Sequence, residues 1–105
     1  METFLETVGA ANSETRVEVL AFLMKHGECC VCELEKSLGM TQARLSTNLA
    51  ILRKAGFVSV AREGKWAYYD IDPKTTFHKE LLEEIKKVPL TLPELIRACN
   101  IPSRG

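Results

Sequence analysis

Cysteines are the residues of this chain best suited to chemistry. Three of the four stand in the stretch ECCVCEL, as Cys29, Cys30 and Cys32, and the fourth is Cys99. Thiolates are soft donors that suit soft metals and metalloids, and the same sulfurs can be oxidised to disulfides or polysulfides. The stretch lies at the expected start of a helix, whose unpaired N–H groups lower thiol pKa values. Glu28, Glu33 and Glu35 act in the opposite sense, so the sequence leaves the net shift open. In a regular helix Cys29 and Cys32 share a face, whereas Cys30 and Cys32 diverge by about 200°. Joining Cys30 and Cys32 to one ion therefore requires a distorted first turn.

Other chemistry finds little support. No nucleophile–base pairing, Gly-rich phosphate loop or spaced carboxylate pair stands out, so the chain is not expected to be an enzyme. The Cys-x-x-Cys from Cys29 to Cys32 sits in no thioredoxin-like βαβ pattern. His26 and His78 are expected to be plain surface residues.

The elements around the thiols are those of a DNA-reading domain. Val17, Leu20, Ala21 and Met24 recur at helical spacing, with Asn12 as the expected cap and Gly27 as the stop. A helix is predicted from Cys29 or Cys30 to before Gly39, and another from Thr41 to about Ala55. Only Gly39, Met40 and Thr41 connect them, which is helix-turn-helix spacing over about 29–55. FVSVAR and KWAYYDI then read as a β-hairpin over about 57–71 with Glu63-Gly64 at its tip. Helices are expected over about 2–10 and 74–87, and a short last one over about 92–99, where Thr91-Leu-Pro-Glu94 reads as a capping box. The order gives a mainly α winged helix-turn-helix with a small β-hairpin, in one domain spanning 1–105.

The net charge is zero, but it is unevenly spread. Lys36, Arg44, Arg53, Lys54, Arg62 and Lys65 face a single acid, Glu63, between positions 36 and 65. A basic segment within an acidic body presents one face to a polyanion. On a helical wheel Leu45, Leu49 and Leu52 point inward, while Ala43, Thr47, Ala50 and Lys54 point outward. Gln42 and Arg44 lie where recognition helices meet base edges, and Arg44 can pair bidentately with guanine. Thr41, Ser46, Thr47 and Asn48 can reach phosphates or bases, and Arg53 and Lys54 suit phosphates. Arg62 and Lys65, on the wing, suit phosphates or a minor groove. Palindromic double-stranded operator DNA is the expected partner. A homodimer would set recognition helices roughly 34–36 Å apart or a multiple of it. Phe4, Leu5, Val8, Leu81, Leu82 and Ile85 are the candidate dimer surface.

Composition agrees with this class. Apolar residues make up 46% of the chain and charged residues 27%. No apolar run approaches the roughly 20 residues of a membrane span, and the start METFLETVGA is no secretory signal. The cytoplasm is the expected compartment, with no membrane partner.

Residues 12–71 resemble the ArsR family of winged-helix metal-sensing repressors, through ANSETRVEVL, ECCVCELEKSLGMTQARLSTNLAILRKAGFV and AREGKWAYYDI. Cys30-Val-Cys32-Glu-Leu is similar to the motif that family members use for arsenite, antimonite, cadmium or lead. The resemblance implies a homodimeric repressor that leaves its operator when the ion binds. The expected inducer is As(III) or Sb(III), with another soft ion such as Cd, Pb or Cu(I) as an alternative, and no cofactor is expected for folding. Glu35 stands where arsenic sensors often carry a third cysteine, so a third thiolate falls to Cys29, to Cys99, or to none. The fifth helix offers His78 without a second histidine, so the family's zinc site is expected to be absent. Oxidation of Cys30 or Cys32 with Cys99 is the competing switch, and a protein-binding winged helix is the alternative from another class.

Overall fold

The computed structural model describes residues 1–97. The elements are α1 (Glu2–Ala11), α2 (Glu14–His26), β1 (Cys29–Cys30), α3 (Val31–Leu38), α4 (Gln42–Ala55), β2 (Val58–Glu63), β3 (Trp66–Ile71) and α5 (Thr76–Lys86).

Local chemistry sets most helix ends. Ser13 caps α2 by accepting the Arg16 N–H at 3.2 Å. Asn12, the expected cap, closes α1 instead by donating its N–H to the Gly9 carbonyl. Thr41 caps α4 through the Arg44 N–H at 3.3 Å. Gly56 ends α4 at φ +94°, and a Cβ there would lie 3.0 Å from His78 Nε2. Both the left-handed backbone and the close approach require glycine.

Leu45, Leu49 and Leu52 of α4 are fully buried against Val19, Leu20 and Phe22 of α2, Leu34 of α3 and Phe57. Burial of each such side chain contributes about 1.5–3 kcal/mol. The inward stripe predicted for α4 is the one observed.

Four further features differ from the sequence reading. Cys29 and Cys30 form a short strand, not a helical turn, and pair antiparallel with Tyr69 and Tyr68 of β3. The hairpin thereby becomes a three-stranded sheet of order β1-β3-β2. Gly27 stops α2, and after Glu28 the backbone of Cys29 and Cys30 pairs with the open edge of β3 before α3 begins.

Residues 89–97 carry no regular secondary structure, so the helix expected over about 92–99 is absent from its described part. Partners on other elements replace helical bonds. The Ile96 N–H donates to Ser37 Oγ at 2.8 Å, Arg97 donates to Glu33 at 2.6 Å, and Leu92 and Leu95 pack on the core. The segment is a strap across α3, and Cys99 lies outside the described residues.

His78 is 2% exposed, not a surface residue. Its Nε2 lies 2.6 Å from the Ala55 carbonyl and 3.3 Å from Thr7 Oγ1, and its Nδ1 lies 2.7 Å from Thr75 Oγ1. It joins α1, α4 and α5. His26 is half-buried, beside Phe22 and 3.3 Å from the Pro93 carbonyl.

Leu82 and Ile85 belong to the core of this chain rather than to a free dimer surface. They occupy the inner face of α5, and Leu81 is partly buried beside them. Phe4, Leu5 and Val8 are exposed, at 54%, 58% and 39%.

Candidate nucleic-acid interface and sensor thiols

α4 presents its polar face to solvent. Gln42, Ala43, Arg44, Ser46, Thr47, Ala50, Arg53 and Lys54 are exposed, and small side chains leave the ridge low enough to enter a major groove. Thr41 is exposed at the helix start. Its hydroxyl oxygen is committed to the cap, while its proton remains able to donate. Thr47 donates its hydroxyl to the Ala43 carbonyl at 3.0 Å. Arg62, Lys65 and the turn between them are exposed on the wing, with the Lys65 ammonium 5.3 Å from the Trp66 ring centre.

Two predicted contact residues also make bonds within the chain. Arg44 donates to Thr15 Oγ1 at 2.9 Å. Asn48 is half-buried, donating to the Arg44 carbonyl at 2.9 Å and accepting from Arg16 at 3.1 Å. Asn48 thus positions α4 at least as much as it faces outward.

Arg16 is the residue that sequence reasoning missed. Its guanidinium donates to the Ala10 and Gly9 carbonyls at the end of α1 and to Asn48 of α4. A cation at a helix C-terminus meets the negative end of the dipole. Arg16 ties the exposed α1 to the recognition helix, and nothing in its sequence spacing marks it.

The thiols separate into two environments. Cys29 and Cys30 are free and fully buried. Cys29 donates its S–H to the Gly27 carbonyl at 3.3 Å. Its pKa is pushed up to about 12, first by burial and then by the Glu33 charge. Burial also pushes the Cys30 thiol up, against the Glu33 backbone N–H, which favours the thiolate. Cys30 caps α3: its sulfur takes that N–H, and its own N–H donates to Glu33 Oε1 at 3.0 Å. This is a capping box with cysteine in the usual place of serine or threonine. Cys32 lies half-buried in the first turn of α3 and is disulfide-bonded.

The structure therefore does not gather all three clustered thiols at one point. Cys29 is held in β1 rather than on the helix it was expected to share with Cys32. Among the described residues no group of three His, Cys, Asp or Glu side chains could hold a metal ion, and no helix is long and apolar enough to cross a membrane.

A short turn between α3 and α4, an exposed basic helix and a β-wing define a winged helix-turn-helix, the architecture of DNA-binding regulators. Residues 13–60 match the profile described as "Bacterial regulatory protein, arsR family". The chain is 33% identical to a putative arsenical resistance operon repressor of Halobacterium salinarum, over 82% of this chain and 73% of that protein. An arsenic resistance transcriptional regulator of Pseudomonas putida is 39% identical over 58% of the chain, which spans about half (48%) of that regulator's length.

Solved structures agree in fold. Reduced HlyU from Vibrio cholerae superposes with a TM-score of 0.71 at 27% identity, covering 86% of this chain and 92% of that one. The homodimeric winged helix-turn-helix DNA-binding domain of a possible ArsR-family regulator from Mycobacterium bovis gives 0.66 at 25%, covering 81% and 76%. The chain belongs to the ArsR family, a family of transcriptional regulators and not of enzymes.

Proposed function

We propose that this chain is a homodimeric transcriptional repressor that binds operator DNA through α4 and the wing, and that chemistry at Cys32 sets its affinity. The observation that carries the reading is the state of Cys32. It is disulfide-bonded and half-buried in the helix that packs against α4, while Cys29 and Cys30 are buried free thiols. The sequence holds one further cysteine, Cys99, and we take it as the partner.

Oxidation removes two electrons and two protons from the Cys32 and Cys99 thiols. With hydrogen peroxide as acceptor, the products are the disulfide and two waters. The bond fixes the first turn of α3 to the C-terminal segment, and α3 transmits the constraint to α4. Release follows only if the constrained form binds DNA less well than the open one. Exposed Phe4, Leu5 and Val8 supply a dimer surface on α1, with Leu81 at the partly buried edge of α5.

The test is a fluorescence-anisotropy titration of operator DNA with reduced and oxidised protein. The reduced form should bind with a strong salt dependence and the oxidised form about tenfold or more weakly. Cys32→Ser should bind like the reduced parent under both conditions. A Cys32→Ser protein that still releases DNA on oxidation overturns the reading, and absence of salt-dependent binding to any palindromic fragment favours a protein-interaction module.

A second reading is favoured by the relatives named for arsenical resistance. Arsenite or antimonite would bind Cys30, Cys32 and Cys99, unwinding the first turn of α3, where Cys30 is the cap. Cys29 is the weaker third ligand, since its S–H is donated to the Gly27 carbonyl. Mass spectrometry separates the two: one metalloid with three thiols protected from alkylation, or two cross-linked peptides without it.

A further inference from the structure

A cleft of about 300 Å³ opens where α3, the start of α4 and the wing meet, and Cys32 is on its wall. Glu35 lines it beside Cys32, with Arg62 and Lys65 from the wing and Trp66 and Tyr69 on its apolar side. Cys29 and Cys30 do not line it and are 0% exposed. Solvent-borne reagents therefore meet Cys32 in a pocket of two cations, one carboxylate and aromatic surface.

That pattern has a complementary ligand. A small thiol of amino-acid type carries carboxylates, which suit Arg62 and Lys65, and an ammonium, which suits Glu35. We infer that the cleft between α3, α4 and the wing is a docking site for a small thiol bearing carboxylate and ammonium groups, which it presents to the Cys32 sulfur. The inference rests on the reading of Cys32 as a disulfide switch and adds the reagent that resets it.

The chemistry is thiol–disulfide exchange. The docked thiolate attacks the Cys32 sulfur, forming a mixed disulfide there and expelling the partner cysteine as thiolate, which takes a proton. A second molecule of the same thiol then attacks the sulfur of the first. It leaves as the symmetric disulfide of the small thiol, and Cys32 regains its proton. Two small thiols are oxidised for each protein disulfide reduced.

The experiment follows reduction of the oxidised full chain, without DNA, by glutathione and by 2-mercaptoethanol, which has neither carboxylate nor ammonium, each rate being expressed per thiolate. In the parent, glutathione should be faster by about tenfold. That advantage should vanish in the Arg62→Gln/Lys65→Gln pair, shrink in Glu35→Gln, and fall as salt rises. Rates with 2-mercaptoethanol, whose attacking thiolate carries a single negative charge, should fall by less than those with glutathione in the double variant, and glutathione diethyl ester should resemble it in the parent. An equal glutathione advantage in the parent and the double variant overturns the site and leaves the switch standing. Peptide mapping that finds no Cys32 disulfide in the oxidised protein overturns both.

Discussion

Arg97 and Glu33 meet at 2.6 Å across very unequal surroundings, the carboxylate side chain being 1% exposed and the guanidinium side chain 58%. The other Glu33 oxygen takes the Cys30 N–H at 3.0 Å. One buried carboxylate therefore joins the cap of α3 to the strap that leads toward Cys99. A buried charge needs such partners to offset its lost hydration.

Arg97→Ala removes the charged partner of that carboxylate and leaves it to its bonds with Cys30. Half of the guanidinium remains in water, which reduces its contribution relative to a fully buried pair. The expected loss in urea unfolding is about 1–2 kcal/mol, with Arg97→Lys recovering part of it. Loss of nothing measurable would mean that the strap does not hold α3.

His78 joins three helices through one ring. The Ala55 carbonyl can only accept, so Nε2 carries the hydrogen and Nδ1 takes the Thr75 hydroxyl proton. His78→Ala should cost about 2–3 kcal/mol, because it removes the ring donor of the Ala55 carbonyl and the packing of a buried ring. His78→Phe should recover only the packing share of this, as measured by chemical denaturation. An apolar ring that restores full stability would show that packing, not hydrogen bonding, is its role.

Arg44→Ala should weaken operator binding by about 1–3 kcal/mol and relax preference at one base pair. Arg62→Ala should instead weaken all sequences alike and reduce the slope of log K against log salt by about one per protomer. Anisotropy titrations at several salt concentrations distinguish the two patterns. Identical behaviour of the two variants would remove the assignment of α4 to bases and the wing to phosphates.

The Cys29 thiol has a pKa of about 12 in the fold against 9.0 for an ordinary one. The folded state therefore holds its proton where the unfolded chain has lost it. The resulting stability is fully present below pH 9.0 and is lost as pH rises toward about 12, by at most roughly 1.4 kcal/mol per unit. Denaturation of reduced protein at pH 8, 9 and 10 should show this decline, and Cys29→Ala should flatten it. Iodoacetamide at pH 8 should modify reduced Cys32 well before Cys29.

Phe4 stacks on Phe77 at 5.4 Å between ring centres, while Leu5 beside it remains 58% exposed. Leu5→Glu should shift sedimentation toward the monomer and weaken operator binding, with little change in monomer folding. An unchanged dimer would place the interface elsewhere.

Much of the architecture follows from local chemistry. The stripe Leu45, Leu49 and Leu52, the cap Thr41 and the stop Gly56 set α4 almost residue by residue. Periodicity, caps and glycines are short-range signals, so the helix-turn-helix and the wing were legible in one dimension. The same logic failed where a distant partner offered a better bond. Thr91-Leu-Pro-Glu94 has the composition of a helix start, yet the described segment is not helical and bonds instead to Ser37 and Glu33.

The sequence by itself determined the order of the first five helices and the wing, the outward face of α4 and the presence of clustered sulfur. Only the tertiary structure decided what each sulfur experiences. β3 draws Cys29 and Cys30 into the sheet, where burial keeps them protonated, and leaves Cys32 beside an open cleft. Adjacent residues can share a motif and differ in chemistry, because solvation and partners are fixed by the chain that folds over them.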